Sequence, residues 1–380
     1  GSSLDRRIVN HDALPVARRK TTRWATITCR CYRVRDRSFW DGVVLGSGRG
    51  GGRRPDQQLE WTQLWSASSR RAHSRAVVEY GKLSPARKTL VPVAPVVPGM
   101  SETSYSTLGF SDRSLEAALD AIADAGFAGV EILGQAPHLD EPPQGNALRV
   151  FRGRLKDRGF RSWTVHAPAK RNVPGAPDED WRKESVKTLE RFVRFSGALG
   201  SRGLIVHPVP NPIFVSDPQI GPLDTLMQDA VRRSLDELVP IAAEVGTCIL
   251  LENLPYHCDY PLLSMRQLRP LVDEYPAEHV ALILDTGHAW TIGNDPVAEI
   301  HFAGGRLQGT HLQDVDAVTP NDDHWVPTHG GLDWDAIRAA LAEIGYAANW
   351  TFEAVQGRQG ESPDELARMT RSVATIWGRS

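Results

Sequence analysis

The sequence predicts an α/β fold, a (β/α)8 TIM barrel over about residues 104–378, preceded by an extension of low order. Three observations lead there. Short β-rich runs alternate with stretches of helical periodicity, eight such pairs can be counted, and they fill about 275 residues, which suits a closed barrel better than an open sheet. A chain of 380 residues has room for one such barrel and an extension.

In chain order the strand candidates are Tyr105–Phe110, Gly129–Leu133, Ser162–His166, Gly203–His207, Cys248–Leu254, Val280–Asp285, Leu307–Leu312 and Asn349–Ala354. Between them, apolar residues recur at helical spacing and would bury one face: Leu115, Leu119 and Ile122 after the first run, Val231, Leu235 and Leu238 before the fifth, and Ile337, Leu341 and Ile344 before the eighth. The last helix opens with Ser362-Pro363-Asp364-Glu365, where Ser can cap, Pro suits the first turn and Glu completes a capping box. Asn349-Trp350-Thr351 matches a glycosylation sequon, but inside a strand candidate it reads as chance.

Before Met100 this patterning stops. Residues 1–99 contain no methionine and hold 19 Lys/Arg against 7 Asp/Glu, leaving 25 against 39 for the rest. An Arg-rich, Ser-rich, acid-poor stretch suits a disordered or transit-like extension. A second reading, which we favour, takes Met100 as the natural start, the upstream part as sequence not selected as protein, and Gly1-Ser2-Ser3 as a cloning remnant. Gly46-Ser47-Gly48-Arg49-Gly50-Gly51 follows Val43-Val44-Leu45 and matches a dinucleotide fingerprint, yet Gly52-Arg53-Arg54-Pro55 opens no apolar helix, so the segment reads as a flexible loop. Cys29, Cys31, Cys248 and Cys258 form no CxxC pair and read as reduced thiols. With no apolar run near the ~20 residues of a membrane span and no secretory signal pattern, the expected location is cytoplasmic and no membrane partner is expected.

In such a barrel the functional groups sit at the carboxyl ends of strands, so the polar residues that terminate the apolar runs are the candidates. They are His166, His207, Glu252, Asp285 with His288 in the next turn, His311 and Glu353. Closure would aim all of them at one mouth. Carboxylates and imidazoles together suit Mn²⁺, Co²⁺, Fe²⁺ or Zn²⁺, and the carboxylate share also tolerates Mg²⁺.

The segments Leu251-Glu252-Asn253, Leu284 to His288 (Leu-Asp-Thr-Gly-His), His311 to Asp314 (His-Leu-Gln-Asp) and Phe352-Glu353 resemble the xylose-isomerase-like barrel superfamily. That superfamily contains sugar (phosphate) isomerases and epimerases and, as a related branch, endonuclease IV. The resemblance implies that Glu252, Asp285, His311 and Glu353 bind one divalent metal ion, Mn²⁺ favoured, and that Glu252 and Glu353 are also the catalytic acid/base pair of a sugar isomerase or epimerase. The chemistry is coherent: one carboxylate takes a carbon-bound proton beside a carbonyl, the cation stabilises the enediolate oxygen, and the other carboxylate returns a proton. His166, His207, His288, Asp322 and His324 would then contact substrate or additional metal.

The endonuclease branch implies a different use of the same nine positions, as ligands of three Zn²⁺ in a phosphodiesterase acting on abasic DNA. Two features favour sugar chemistry. The barrel part is acidic, whereas affinity for a phosphate backbone depends on Lys and Arg displacing counterions, so no nucleic-acid partner is expected. No Arg/Tyr-bearing loop after the first two strands looks suited to fill the gap left by a flipped base. The segment His324 to Trp334 resembles a sugar-branch loop but carries Thr328-His329 where Gly-Glu is usual. Lys170, Arg171 and Arg358 are the cations available for a phosphorylated substrate, and among Trp163, Trp290, Trp325 and Trp350 only Trp325 is not expected to serve the core. A small-molecule sugar is the expected partner, and homo-oligomers through exposed barrel helices remain open.

Overall fold

The computed structural model describes residues 102–169, 171–210, 222–255 and 260–379. The extension, its Gly-rich loop, Lys170, Cys29, Cys31 and Cys258 lie outside the described residues. Eight parallel strands close on themselves in sequence order: β1 (Thr103–Ser106), β2 (Gly129–Leu133), β3 (Ser162–His166), β4 (Leu204–Val206), β5 (Ile249–Glu252), β6 (Val280–Asp285), β7 (Leu307–Leu312) and β8 (Trp350–Phe352). Closure is made by β1 against β8, with Thr103 opposite Trp350 and Tyr105 opposite Phe352.

Around the strands run α1 (Leu115–Asp124), α2 (Gly145–Asp157), α3 (Glu179–Leu199), α4 (Pro222–Val245), α5 (Met265–Val272), α6 (Thr286–Thr291), α7 (Pro296–Ala303), α8 (Trp334–Glu343) and α9 (Pro363–Ile376). Their starts are set by short polar side chains that accept from the first free backbone N–H groups: Ser114, Asp178, Ser264, Asp295 and Asp333 cap α1, α3, α5, α7 and α8. At α9 the expected capping box is present, with Ser362 and Glu365 each bonding the other's backbone. The predicted stripes face the strands, and Leu119, Ile122, Leu235 and Ile337 are all buried in one apolar layer between helices and barrel wall. None of the described helices is long and apolar enough to cross a membrane.

One element differs from expectation. Tyr105–Phe110 is not a single strand: β1 ends at Ser106 and Thr107–Phe110 forms a 3₁₀ turn. Ser106 caps that turn through its Oγ, and the Tyr105 hydroxyl donates to Ala354 O at 2.6 Å. Gly109 passes so close to this pair that a Cβ would come within 2.9 Å of both Ala354 O and the Tyr105 ring.

Alternation along the strands sorts the interior. Leu204, Val206, Leu251, Leu282 and Leu284 belong to the helix-facing layer, while Ile205, Cys248, Leu250, Ala281 and Ile283 form a separate apolar cluster inside the barrel. The amino-terminal end of that interior is sealed by polar groups: Asn349 Nδ2 donates to Ser104 Oγ at 2.9 Å and Ser162 Oγ at 2.8 Å. Gly129 beside them leaves no room for a Cβ, which would meet Ser104 Oγ at 2.1 Å. Asn349 is buried and spent on these bonds, so the sequon is sterically closed.

Candidate metal centre at the barrel mouth

At the carboxyl ends of the strands the interior positions are ionisable. His166 ends β3, Glu252 ends β5 and Asp285 ends β6; His207 and Glu353 follow β4 and β8 by one residue, and His311 lies in β7. His288 is on α6, and Asp322 and His324 are in the loop between β7 and α8. All nine expected residues converge, in three groups whose potential ligand atoms lie within 4.8 Å of one another: Glu252, Asp285, His311 and Glu353; His166, His207 and Glu252; and His288, Asp322 and His324. Glu252 belongs to two of them.

Three of the histidine rings are fixed by what their second nitrogens bond. His166 Nδ1 faces Ala167 O at 2.8 Å, His288 Nδ1 faces Asn253 O at 2.8 Å, and His324 Nδ1 faces Glu353 O at 3.0 Å. A backbone carbonyl only accepts, so each Nδ1 is the donor and each Nε2 is turned to its group. Glu252 Oε2 lies 3.3 Å from Nε2 of both His166 and His207. Yet among the described residues it accepts a hydrogen bond from neither. Three potential ligand atoms converging on one point in this way fit a cation. Three carboxylates with one imidazole in the central group, and imidazole-rich sets beside it, are donor sets for divalent first-row metals.

Electrostatics inside the mouth are strongly coupled. Burial opposes charge on Glu252, but His311, His166 and His207 outweigh it and hold its carboxyl well below the usual range. Burial raises Asp285 and Glu353. It also depresses His207, whereas Asp285 and Asp322 overcome it at His288, held up at about 10, and Asp322 does so at His324, at about 9. Bound divalent cations would take over the charge compensation that these rings provide.

The motifs each carry a mechanical part beside the candidate ligand. In Leu-Glu-Asn, Asn253 clasps the Asp285 backbone, accepting from its N–H at 2.8 Å and donating to its carbonyl at 3.0 Å. In Leu-Asp-Thr-Gly-His, Asp285 accepts from His288 N at 2.7 Å, and the Thr286 hydroxyl donates to Gln313 O at 2.7 Å. Gly287 is required because a Cβ there would meet the Gln313 amide at 2.5 Å. Gln313 Nε2 donates to Asp285 Oδ1 and Asp322 Oδ1, both at 3.1 Å, and its Oε1 accepts from His324 N at 2.8 Å. This one buried amide therefore joins the central group to the outer one.

A model of the xylose isomerase-like TIM barrel family matches residues 119–373. The chain belongs to that family. It is 22% identical to the inosose dehydratase of Geobacillus thermodenitrificans over 75% of this chain and 95% of that one. It is 26% identical to a probable endonuclease 4 of Thermoplasma acidophilum over 40% of this chain and 49% of that one. A D-tagatose 3-epimerase-like protein of known structure shares the fold, with TM-score 0.60 and 22% identity over 73% of this chain and 99% of that one.

In this xylose isomerase-like barrel, sequence reasoning missed Glu131, a fully buried carboxylate in the middle of β2 whose Oε2 is 3.0 Å from His311 Nε2. A charge inside an otherwise apolar five-residue strand was the available signal. It also left Asn253, Gln313 and Asp314 without roles. Of the four tryptophans, Trp163 and Trp350 are buried and Trp290 packs against the core, while Trp325 lies under the Arg358 guanidinium, 4.5 Å from its ring centre. Arg171 sits over the Trp181 ring.

Proposed function

We propose that this barrel is a divalent-metal-dependent isomerase or epimerase of a sugar, keto-sugar or inositol derivative. The observation that carries the reading is the buried central group, in which Glu252, Asp285, His311 and Glu353 bring ligand atoms within 4.8 Å from four different strands. These four residues would hold one divalent cation, Mn²⁺ favoured among the Mn²⁺, Mg²⁺, Co²⁺, Fe²⁺ and Zn²⁺ ions that such a set accepts. Once bound, it would offset the negative charge that develops on substrate oxygen as a carbon-bound proton leaves.

The chain's own groups supply the rest. Glu252 and Glu353 enter from β5 and β8, so a substrate carbon between them has a carboxylate on each side. One, ionised, takes the proton, and the other, which must have taken up a proton from solvent beforehand, returns it on the opposite face; for the reverse epimer the roles exchange. Gln313, Asn253 and Thr286 hold the strand ends so that these groups keep their places. His166, His207 and the His288, Asp322, His324 set line the mouth as substrate contacts or as holders of further cations. An inosose dehydratase among the relatives accords with a substrate derived from a sugar or inositol.

A second reading, a trinuclear zinc phosphodiesterase, is favoured by one observation: Glu252 Oε2 facing two ring nitrogens without a hydrogen bond, beside a separate outer group. One experiment separates them. The full chain, loaded with Mn²⁺ or Zn²⁺ and its metals counted, is incubated in D₂O with ketohexoses, inososes and 3-keto-glycosides, and separately with abasic duplex DNA. Solvent deuterium at a carbon beside the carbonyl, reduced about 10²–10⁴-fold by Glu252→Gln or Glu353→Gln, is the expected result. Incision of abasic DNA with three Zn²⁺ bound, and no exchange into any sugar, would establish the second reading instead.

A further inference from the structure

Glu131 is a carboxylate where the barrel interior would ordinarily be apolar. It is fully buried, one side-chain layer below the mouth. Two groups bond it among the described residues: Thr164 Oγ1 donates to Oε2 at 3.2 Å, and His311 Nε2 lies 3.0 Å from the same oxygen. Neither the charge nor the position serves the core. His311 is equally boxed in, fully buried, with its other nitrogen, Nδ1, 2.9 Å from Glu252 Oε1 and 3.4 Å from Glu353 Oε2. The ring is also flanked by His166, nearly parallel at 12° and 5.9 Å between centroids. One imidazole thus bridges a carboxylate beneath the mouth and two carboxylates within it.

We infer that Glu131 is a positioning residue, which accepts the Nε2–H of His311 and so fixes the ring in the tautomer whose Nδ1 lone pair faces, together with the oxygens of Glu252 and Glu353, the point where a cation would sit. The assignment rests on the reading that the central group binds a divalent cation. Its physical basis is that a ligating imidazole presents only one nitrogen, and the partner of the other decides which. The outer histidines are held the opposite way: His166, His288 and His324 give Nδ1 to backbone carbonyls and present Nε2. His311 alone among these four is oriented by a side chain, and by an anionic one. A carboxylate also raises the basicity of the ligating nitrogen more than a carbonyl does, which would make His311 the strongest imidazole donor of the mouth.

The test uses the full chain with ¹⁵N-labelled histidine, loaded with Zn²⁺, and His311 assigned by the signals that vanish in His311→Gln. The expected spectrum has a directly bonded proton on His311 Nε2 and none on Nδ1. In parallel, Zn²⁺ affinity is measured by competition with a chromophoric chelator. Glu131→Ala is expected to weaken it about 10–100-fold, with Glu131→Gln, which keeps an acceptor oxygen, recovering much of the loss. A proton on Nδ1, or equal affinities in wild type and a folded Glu131→Ala, overturns the inference. If Glu131→Ala does not fold, the wild-type spectrum still decides the tautomer. Wild-type protein that binds no divalent cation overturns the metal reading itself, and the positioning role with it, and is recognised by the absence of any competition with the chelator.

Discussion

Gly287 shows how narrowly the mouth is built. The Gln313 amide occupies the space a side chain would take, with its Cδ and Oε1 both 2.5 Å from an idealised Cβ. Gly287→Ala should therefore displace Gln313 from Asp285 and Asp322 and destabilise the fold by about 1–3 kcal/mol in urea denaturation. Shortening the obstructing side chain relieves the clash, so Gly287→Ala in a Gln313→Ala background should cost clearly less; strictly additive costs would refute the packing argument. His324 is constrained in another way. It has φ of +50°, a conformation costing about 1–3 kcal/mol outside glycine. Its N–H bonds Gln313, its carbonyl accepts from Val355 and Gln356, and its Nδ1 bonds Glu353 O. These bonds hold the strained residue where Nε2 meets Asp322 at 3.1 Å. Cys248 is the contrast, a buried thiol packed in the apolar cluster inside the barrel. Burial pushes it from 9.0 up to about 12. Below 9 the thiol is protonated folded or unfolded, and between 9 and 12 only the unfolded chain ionises, so its ionisation works against the fold in that window. Peptide mapping after iodoacetamide at pH 9.5 should find Cys248 unmodified in native protein and alkylated in denaturant; native labelling at the denatured rate would contradict its burial.

At the scale of elements, the loop from β7 to α8 is organised by one residue. Asp314 is fully buried and accepts from Thr328 N at 2.9 Å, Leu332 N at 3.1 Å and Trp334 Nε1 at 2.7 Å, while its backbone pairs with Trp325 in both directions at 2.9 Å. The loop that bears Asp322 and His324 is thus pinned at its return and at the first residue of α8. Asp314→Ala leaves several donors without an acceptor, and a loss on the order of 3 kcal/mol is expected in chemical denaturation. Metal titration should show the damage to be local, with cation binding at the central group of Glu252, Asp285, His311 and Glu353 largely kept in the folded variant. Loss of that binding would mean that Asp314 supports the barrel and not this loop. The register of β6 against β7 shifts between Leu282 and Ile283, leaving Gln308 exposed and bringing Asp285 opposite His311. Without that bulge the two candidate ligands would not share a level.

For the molecule as a whole, the repeating βα pattern was legible because burial on both sides makes parallel strands apolar to their last residue, so Glu252, Asp285 and His166 stood out as interruptions at strand ends. The same rule hid Glu131, which interrupts its strand in the middle, between Val130 and Ile132. It also misjudged Tyr105–Phe110, where the apolar composition of a strand is spent on a tight turn packed under Ala354. Gln313 and Asp314 were visible inside a motif, but their roles depend on which backbone groups the closed barrel brings beside them. Sequence spacing carries no such information. That closure also governs traffic. With Asn349, Ser104 and Ser162 locked together at the amino-terminal end, the described residues give the interior a floor, so a ligand seated between Glu252 and Glu353 would come and go at the carboxyl end. A cation at the bottom and a sugar above it would then obey last in, first out: saturating substrate should slow the stripping of metal by EDTA, and a stripping rate indifferent to substrate would reveal a second way out.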